Sequence, residues 1–296
     1  MKINFYKIAV LLSVLSTSLV AQNSNDFLFF ESRLQTLAGK ILSAKSDSLK
    51  DEANKLLIEG IEEVLLMKGS FKYTFEDVDI LSILTAPNKK FKLFNWVVPK
   101  SNNEFEYYAY LQFYTRKKQE PLFYKLNDVS SMVENEQYLT FANGDWFGAL
   151  YTDIIHTRFD KKDIYTLIGW DGNNGTTTKR IVDALYFDDN DEPIFGAPIF
   201  KMNDGTRNRM VLEYSKKVST NMTYNLDQEF IVFDHLEPLD GGETGMFEFY
   251  VPSLSYDGLT FKNGKWRLVE DIQIFNSKDQ DVRQDKNVEQ GLQRSR

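Results

Sequence analysis

The hydrophobic period of this chain changes once, near residue 70, and that change limits the folds open to it. Before it, apolar residues recur every three or four positions. One segment carries Phe27, Phe30, Leu34, Leu37, Ile41 and Leu42, with Asn25 or Asp26 as a possible cap. The next starts at Ser46 or Asp47 and carries Leu49, Ala53, Leu56, Leu57, Gly60, Ile61, Val64 and Leu65. Its other face holds Lys50, Asp51, Glu52, Glu59, Glu62 and Glu63, and Lys68-Gly69 is a stop signal. The spacing predicts a helical hairpin over residues 22–69 whose apolar stripes pack on the rest of the chain.

After residue 70 the segments shorten, and Phe, Tyr, Val, Ile and Thr dominate. Strands are expected over Phe91–Val98, Phe105–Thr115, Leu122–Leu126, Ala149–Thr157, Ile164–Trp170, Ala184–Phe187, Ile194–Phe200, Arg209–Tyr214, Met222–Leu226, Phe230–His235, Met246–Tyr250, Leu259–Lys262 and Trp266–Phe275. Polar turn signals separate them: Asp188-Asp189-Asn190-Asp191, Asn203-Asp204-Gly205, Asp240-Gly241-Gly242 and Asn263-Gly264. The Asn-Gly pair is a strong hairpin signal, because both residues accept positive φ. The fold expected is α+β, mainly β: a helical hairpin packed on a meandering antiparallel sheet, curled or doubled into a sandwich or barrel-like domain over residues 70–276.

The ends have a different character. Lys2 and Lys7 precede an apolar run from Ile8 to Val20, and Ala21 stands before polar Gln22-Asn23-Ser24-Asn25. The run is about 13 residues, short of the roughly 20 that cross a bilayer, so residues 1–21 read as a cleavable signal peptide and the mature chain as exported. With no cysteine at the junction, acylation there is excluded. Residues 277–296 alternate charges without aromatics and read as a disordered tail.

Little in the sequence points to chemistry. There is no cysteine, so neither disulfides nor a thiol nucleophile are available. The two histidines, His156 and His235, sit in no H-E-x-x-H arrangement. A G-x-S-x-G elbow, a P-loop and a G-x-G-x-x-G cradle are all missing. The formal charge of −8, without a cluster of Lys and Arg, argues against nucleic acid. The acidic turn Asp188–Glu192 offers oxygens to calcium, but it lacks the glycine and distal glutamate of an EF-hand and reads as a solvated turn. No cofactor, metal or catalytic residue is assigned. Four tryptophans in a chain that is 14% aromatic leave a sugar-stacking surface open beside the more ordinary core role. A carboxylate-pair glycoside hydrolase also stays open among 43 acidic residues.

The most distinctive string is Tyr165-Thr166-Leu167-Ile168-Gly169-Trp170-Asp171-Gly172-Asn173-Asn174, an apolar strand entering a Gly/Asn loop. Trp170, Asp171, Gly172, Asn173 and Asn174 are the candidate partner-binding residues, with a plain structural turn as the alternative. Thr176 is expected to cap a short helix after it. This string, with Pro193-Ile194-Phe195-Gly196-Ala197-Pro198-Ile199-Phe200 downstream and Val-Ala before Gln22, resembles a family of exported Bacteroidota proteins. That family is similar to the periplasmic plug subunit of the type 9 secretion system translocon. The resemblance implies a non-catalytic protein-interaction role in the periplasm, with an outer-membrane translocon barrel protein as the partner. It carries over no catalytic residues.

Overall fold

The computed structural model describes residues 24–115, 120–239 and 242–273. The expected signal peptide, the tail, Asp240-Gly241 of one turn and Phe275 lie outside the described residues. Two helices come first, α1 (Ser24–Ser43) and α2 (Asp47–Leu65). Ser46 caps α2: its backbone is extended and its Oγ accepts from the Leu49 N–H. Asn25 and Asp26 lie inside α1 rather than before it.

Three stacked sheets follow. The first has the order β1 (Ser82–Thr85), β2 (Phe91–Pro99), β3 (Phe105–Thr115), β4 (Glu120–Asp128) and β5 (Asp145–Trp146). The middle sheet uses β6 (Leu150–Phe159), β7 (Lys162–Asp171), β8 (Thr177–Phe187), β9 (Pro193–Phe195) and β12 (Met210–Ser215). Its order is β12-β8-β7-β6, with β9 paired to β8. The outer sheet brings in β10 (Phe200–Met202), β11 (Gly205–Arg207), β13 (Met222–Asn225), β14 (Phe230–Pro238), β15 (Tyr250–Lys262) and β16 (Lys265–Val269), in the order β11-β10-β16-β15-β14-β13. Pairing is antiparallel except β4 with β5 and β10 with β16. The doubled arrangement expected from the sequence is present with one further sheet added, and the described strands do not close into a barrel.

Strand alternation explains the layering. On β2, Phe94, Trp96 and Val98 join Leu57, Ile61 and Leu65 of α2 in one core. Phe91 and Leu93 face the other way, toward Tyr151, Tyr165 and Leu167 of the middle sheet. Ile168, Val182 and Met210 then face the outer sheet, meeting Ile231, Leu259 and Trp266. The two inner sheets are covered on both faces. That is why β2 reads as a nearly unbroken apolar run rather than a clean alternation.

Two local expectations are corrected. Thr177–Phe187 is strand β8, not a helix capped by Thr176. Thr177, Thr178, Ile181 and Val182 are β-branched, and β7 and β12 supply ladders on both sides. The segment Ile194–Phe200 is two strands, β9 and β10, parted at Gly196 with φ 87°. A Cβ at that glycine would stand 2.5 Å from the Leu139 carbonyl oxygen, so only glycine lets the chain turn from one sheet to the next. The Asn263-Gly264 hairpin forms as read, with both residues at positive φ and Lys262 opposite Lys265.

Candidate interaction surface

The loop singled out in the sequence closes the open end between the first and middle sheets. Asp171, at the end of β7, is buried, and its Oδ1 accepts from the Tyr107 hydroxyl and the Asn173 N–H, both at 2.8 Å. Burial raises its carboxyl pKa above the usual carboxylate value, while those two donors oppose the rise. The Gly172 N–H donates to the same Tyr107 oxygen at 2.8 Å. Asn173 Nδ2 donates to Thr177 Oγ1 and Glu213 Oε1, and Asn174 Oδ1 accepts from the N–H groups of Thr176 and Thr177. Trp170 is half-buried, edge to face with Phe105 at 5.4 Å. The polar atoms of this loop are therefore directed largely at the chain itself. Asn174, Gly175 and Thr176 remain exposed at its tip.

The other chemical candidates turn inward in the same way. His156 on β6 meets Asp163 at 2.9 Å and stacks on Tyr165. His235 on β14 meets Asp257 at 2.7 Å, so the two histidines belong to different sheets. In the acidic turn, Asp188 Oδ1 accepts from the N–H groups of Asn190 and Glu192, which holds the Asp188 carboxyl below its ordinary pKa. Among the described residues, no three His, Asp or Glu gather where a metal ion could sit. Trp96, Trp146 and Trp266 are buried, which leaves only the half-covered Trp170 near any surface. An open groove of about 450 Å³ between α2, β3 and β4 does hold carboxylates. Three of the four are engaged: Lys100 bridges Asp51 and Glu106, and Glu62 accepts from Tyr110 and pairs with Lys125, which leaves the exposed Glu59.

Beside the apolar residues that α1 and α2 leave exposed, one surface of the outer sheet is not turned inward. Beyond Phe233, β14 runs past its partner β13, and before Gly258, β15 runs past β16. The remainder is a two-stranded ribbon, with Leu236 opposite Pro252 and Pro238 opposite Tyr250. Between the Asp234–Tyr256 and Leu236–Pro252 pairs β15 bulges, since Ser253, Leu254 and Ser255 oppose only His235. Leu254, in the bulge, is fully exposed. A single 3₁₀ turn (Phe247–Phe249) precedes β15, where a continuous strand over Met246–Tyr250 was expected. That turn and β15 lie beside β12, the edge strand of the middle sheet. Leu239, Met246, Phe247, Phe249 and Tyr256 are exposed around it, and Phe247 packs on Tyr250 at 5.4 Å. Scattered exposed apolar residues are ordinary; here several fall together on one arm, which makes it the candidate contact surface.

Charge sets the arm apart as well. Between Lys217 and Lys262 there is no lysine or arginine, whereas Asp227, Glu229, Asp234, Glu237, Asp240, Glu243, Glu248 and Asp257 all fall there. These eight acids equal the net charge of the whole chain, so everything outside the stretch balances. Among the described residues, none of them forms an ion pair with a lysine or arginine. Reading this segment for hydrophobic pattern alone assigns its aromatics to a core; a running count of Lys and Arg would have flagged it. Among the described residues, no helix is long and apolar enough to cross a membrane. No protein-family model, no curated protein and no solved structure matches the chain.

Proposed function

We propose that this chain is a non-catalytic, exported interaction subunit that works in the periplasm. On this reading it is a plug-like component of the type 9 secretion translocon, held at the outer membrane by a barrel partner. The observation that carries the reading is the exposed apolar arm formed by β14 and β15. A three-sheet body supports the arm, and polar clusters of that body are spent on internal hydrogen bonds. A protein that presents large apolar side chains on a fixed ribbon is equipped to dock. The location and the identity of the partner rest on the signal-like N-terminus and on the family resemblance.

The test is affinity purification of the tagged full chain from native membranes, with mass spectrometry of what comes with it. The expected result is stoichiometric recovery of a large outer-membrane barrel protein. Recovery of the chain as a free monomer overturns the proposal. A glycan-binding role has weaker support, because three of the four indole rings are core.

A further inference from the structure

Resting on the interaction reading, we infer that the arm docks a cationic polypeptide segment, one that carries lysine or arginine beside apolar side chains. Two independent properties of the arm define that occupant. The first is the apolar surface of Phe247, Phe249, Leu254 and Tyr256, exposed on a ribbon that no further strand covers. The second is the acidic frame around it: Glu237, Glu243 and Glu248 are exposed, and no lysine or arginine occurs within the stretch, whose one histidine, His235, is held by Asp257. Apolar contact supplies the affinity, and the sign of the frame selects the partner.

The same charge disfavours the other occupants. A second copy would set Glu237, Glu243 and Glu248 against the same three glutamates. An anionic lipid surface or a nucleic acid would meet like charge. Addition of a strand to the ribbon's edge is also hindered, because Pro238 and Pro252 lack an N–H on each of its two strands. The partner therefore sits against side chains, with its cations reaching the glutamates at the rim.

The experiment places a photo-crosslinking p-benzoylphenylalanine at Leu254 of the full chain in the producing cell, and sequences the attached peptide. Leu254 is fully exposed, so the substitution leaves the fold alone, and an unchanged melting curve checks this. The expected adduct is a polypeptide segment with net positive charge and apolar residues. Its yield should fall about tenfold in the Glu237→Lys, Glu243→Lys, Glu248→Lys variant, in line with the cost of like charges across an interface. Phe247→Ser should reduce it as well. An adduct to an acidic or neutral segment, to lipid or to a second copy overturns the inference, and so does an adduct that survives charge reversal. No adduct at Leu254, while the barrel protein is still recovered from membranes, overturns this inference and leaves the proposed function standing.

Discussion

Arg209→Met should destabilise the protein by about 3–5 kcal/mol, the usual cost of breaking a fully buried ion pair from one side. Arg209 and Asp183 are both wholly buried, and the Arg209 Nε–H donates to Asp183 Oδ2 at 2.8 Å. Asp183 also accepts from the Tyr151 hydroxyl at 3.0 Å and from the Ala184 N–H at 2.8 Å. The guanidinium donates through Nη1 to the Glu136 carbonyl at 2.7 Å and lies over the rings of Phe141 and Phe147. Removing it strands a carboxylate that keeps two neutral donors and loses its only cation. It also takes one of two donors from the half-buried Glu136 carbonyl, which keeps the Leu139 N–H. Asp183→Asn in the Arg209→Met background removes the stranded charge and should recover at least about 2 kcal/mol, a coupling of the size found within one network. Urea unfolding of the four proteins of this cycle, followed by tryptophan fluorescence, measures both quantities. A single-variant loss below about 1 kcal/mol, or strictly additive effects, would refute the reasoning, because an ion pair that holds this junction together cannot be silent.

Three further outcomes follow from the packing. Gly172→Ala should cost about 1–3 kcal/mol by overpacking, since its Cβ would stand 2.3 Å from the Phe105 ring; an unchanged thermal midpoint would show that Phe105 moves aside freely. Burial lowers the Lys92 pKa to about 8 from 10.5, so the unfolded chain binds more protons between those values. Wild-type stability should then rise from pH 8 to pH 10 relative to Lys92→Met, by up to about 3 kcal/mol; parallel pH curves for the two proteins would argue against it. Ser46→Ala should remove the α2 cap for about 0.5–1 kcal/mol, read by urea midpoint, because the Oγ–Leu49 N–H contact is long at 3.4 Å and exposed.

The parts of the fold legible in the sequence are those set by local chemistry. Residues 91–115 form two strands with their turn nearly where the β-branched and aromatic runs place them. Asn263-Gly264 makes its hairpin because only residues tolerant of positive φ suit that turn. The strands that escaped, Ser82–Thr85, Asp145–Trp146 and Gly205–Arg207, are short edge pieces that exist because a neighbouring strand pairs with them. Helical spacing placed Leu42, Leu49 and Leu56 in buried stripes, yet all three are exposed. The two-helix layer meets the first sheet along a narrower face than the spacing suggested. Stacking of a third sheet is set by contacts such as Trp266 Nε1 donating to Thr166 Oγ1, 100 residues apart, which no local period encodes.

The candidate site divides along the same line. The Gly/Asn loop stood out because its composition is unusual, and its unusual residues serve an unusual turn: Gly172 admits the Phe105 ring, and Asp171 and Asn173 tie it to Tyr107 and Glu213. Conformational demand produces such strings whether or not a partner is present. The β14–β15 arm has the opposite signature. Its residue types are those of any strand; Asp234 and Asp257 hold Asn221, His235 and Asp271 in place, whereas nothing in the local geometry asks for glutamates at 237, 243 and 248 with no lysine or arginine among them. Fold stability does not explain those three glutamates either, since like charges without a lysine or arginine partner oppose compaction. A charge pattern that folding does not require, lying around apolar side chains that folding does not bury, is what the proposed docking of a cationic segment would use.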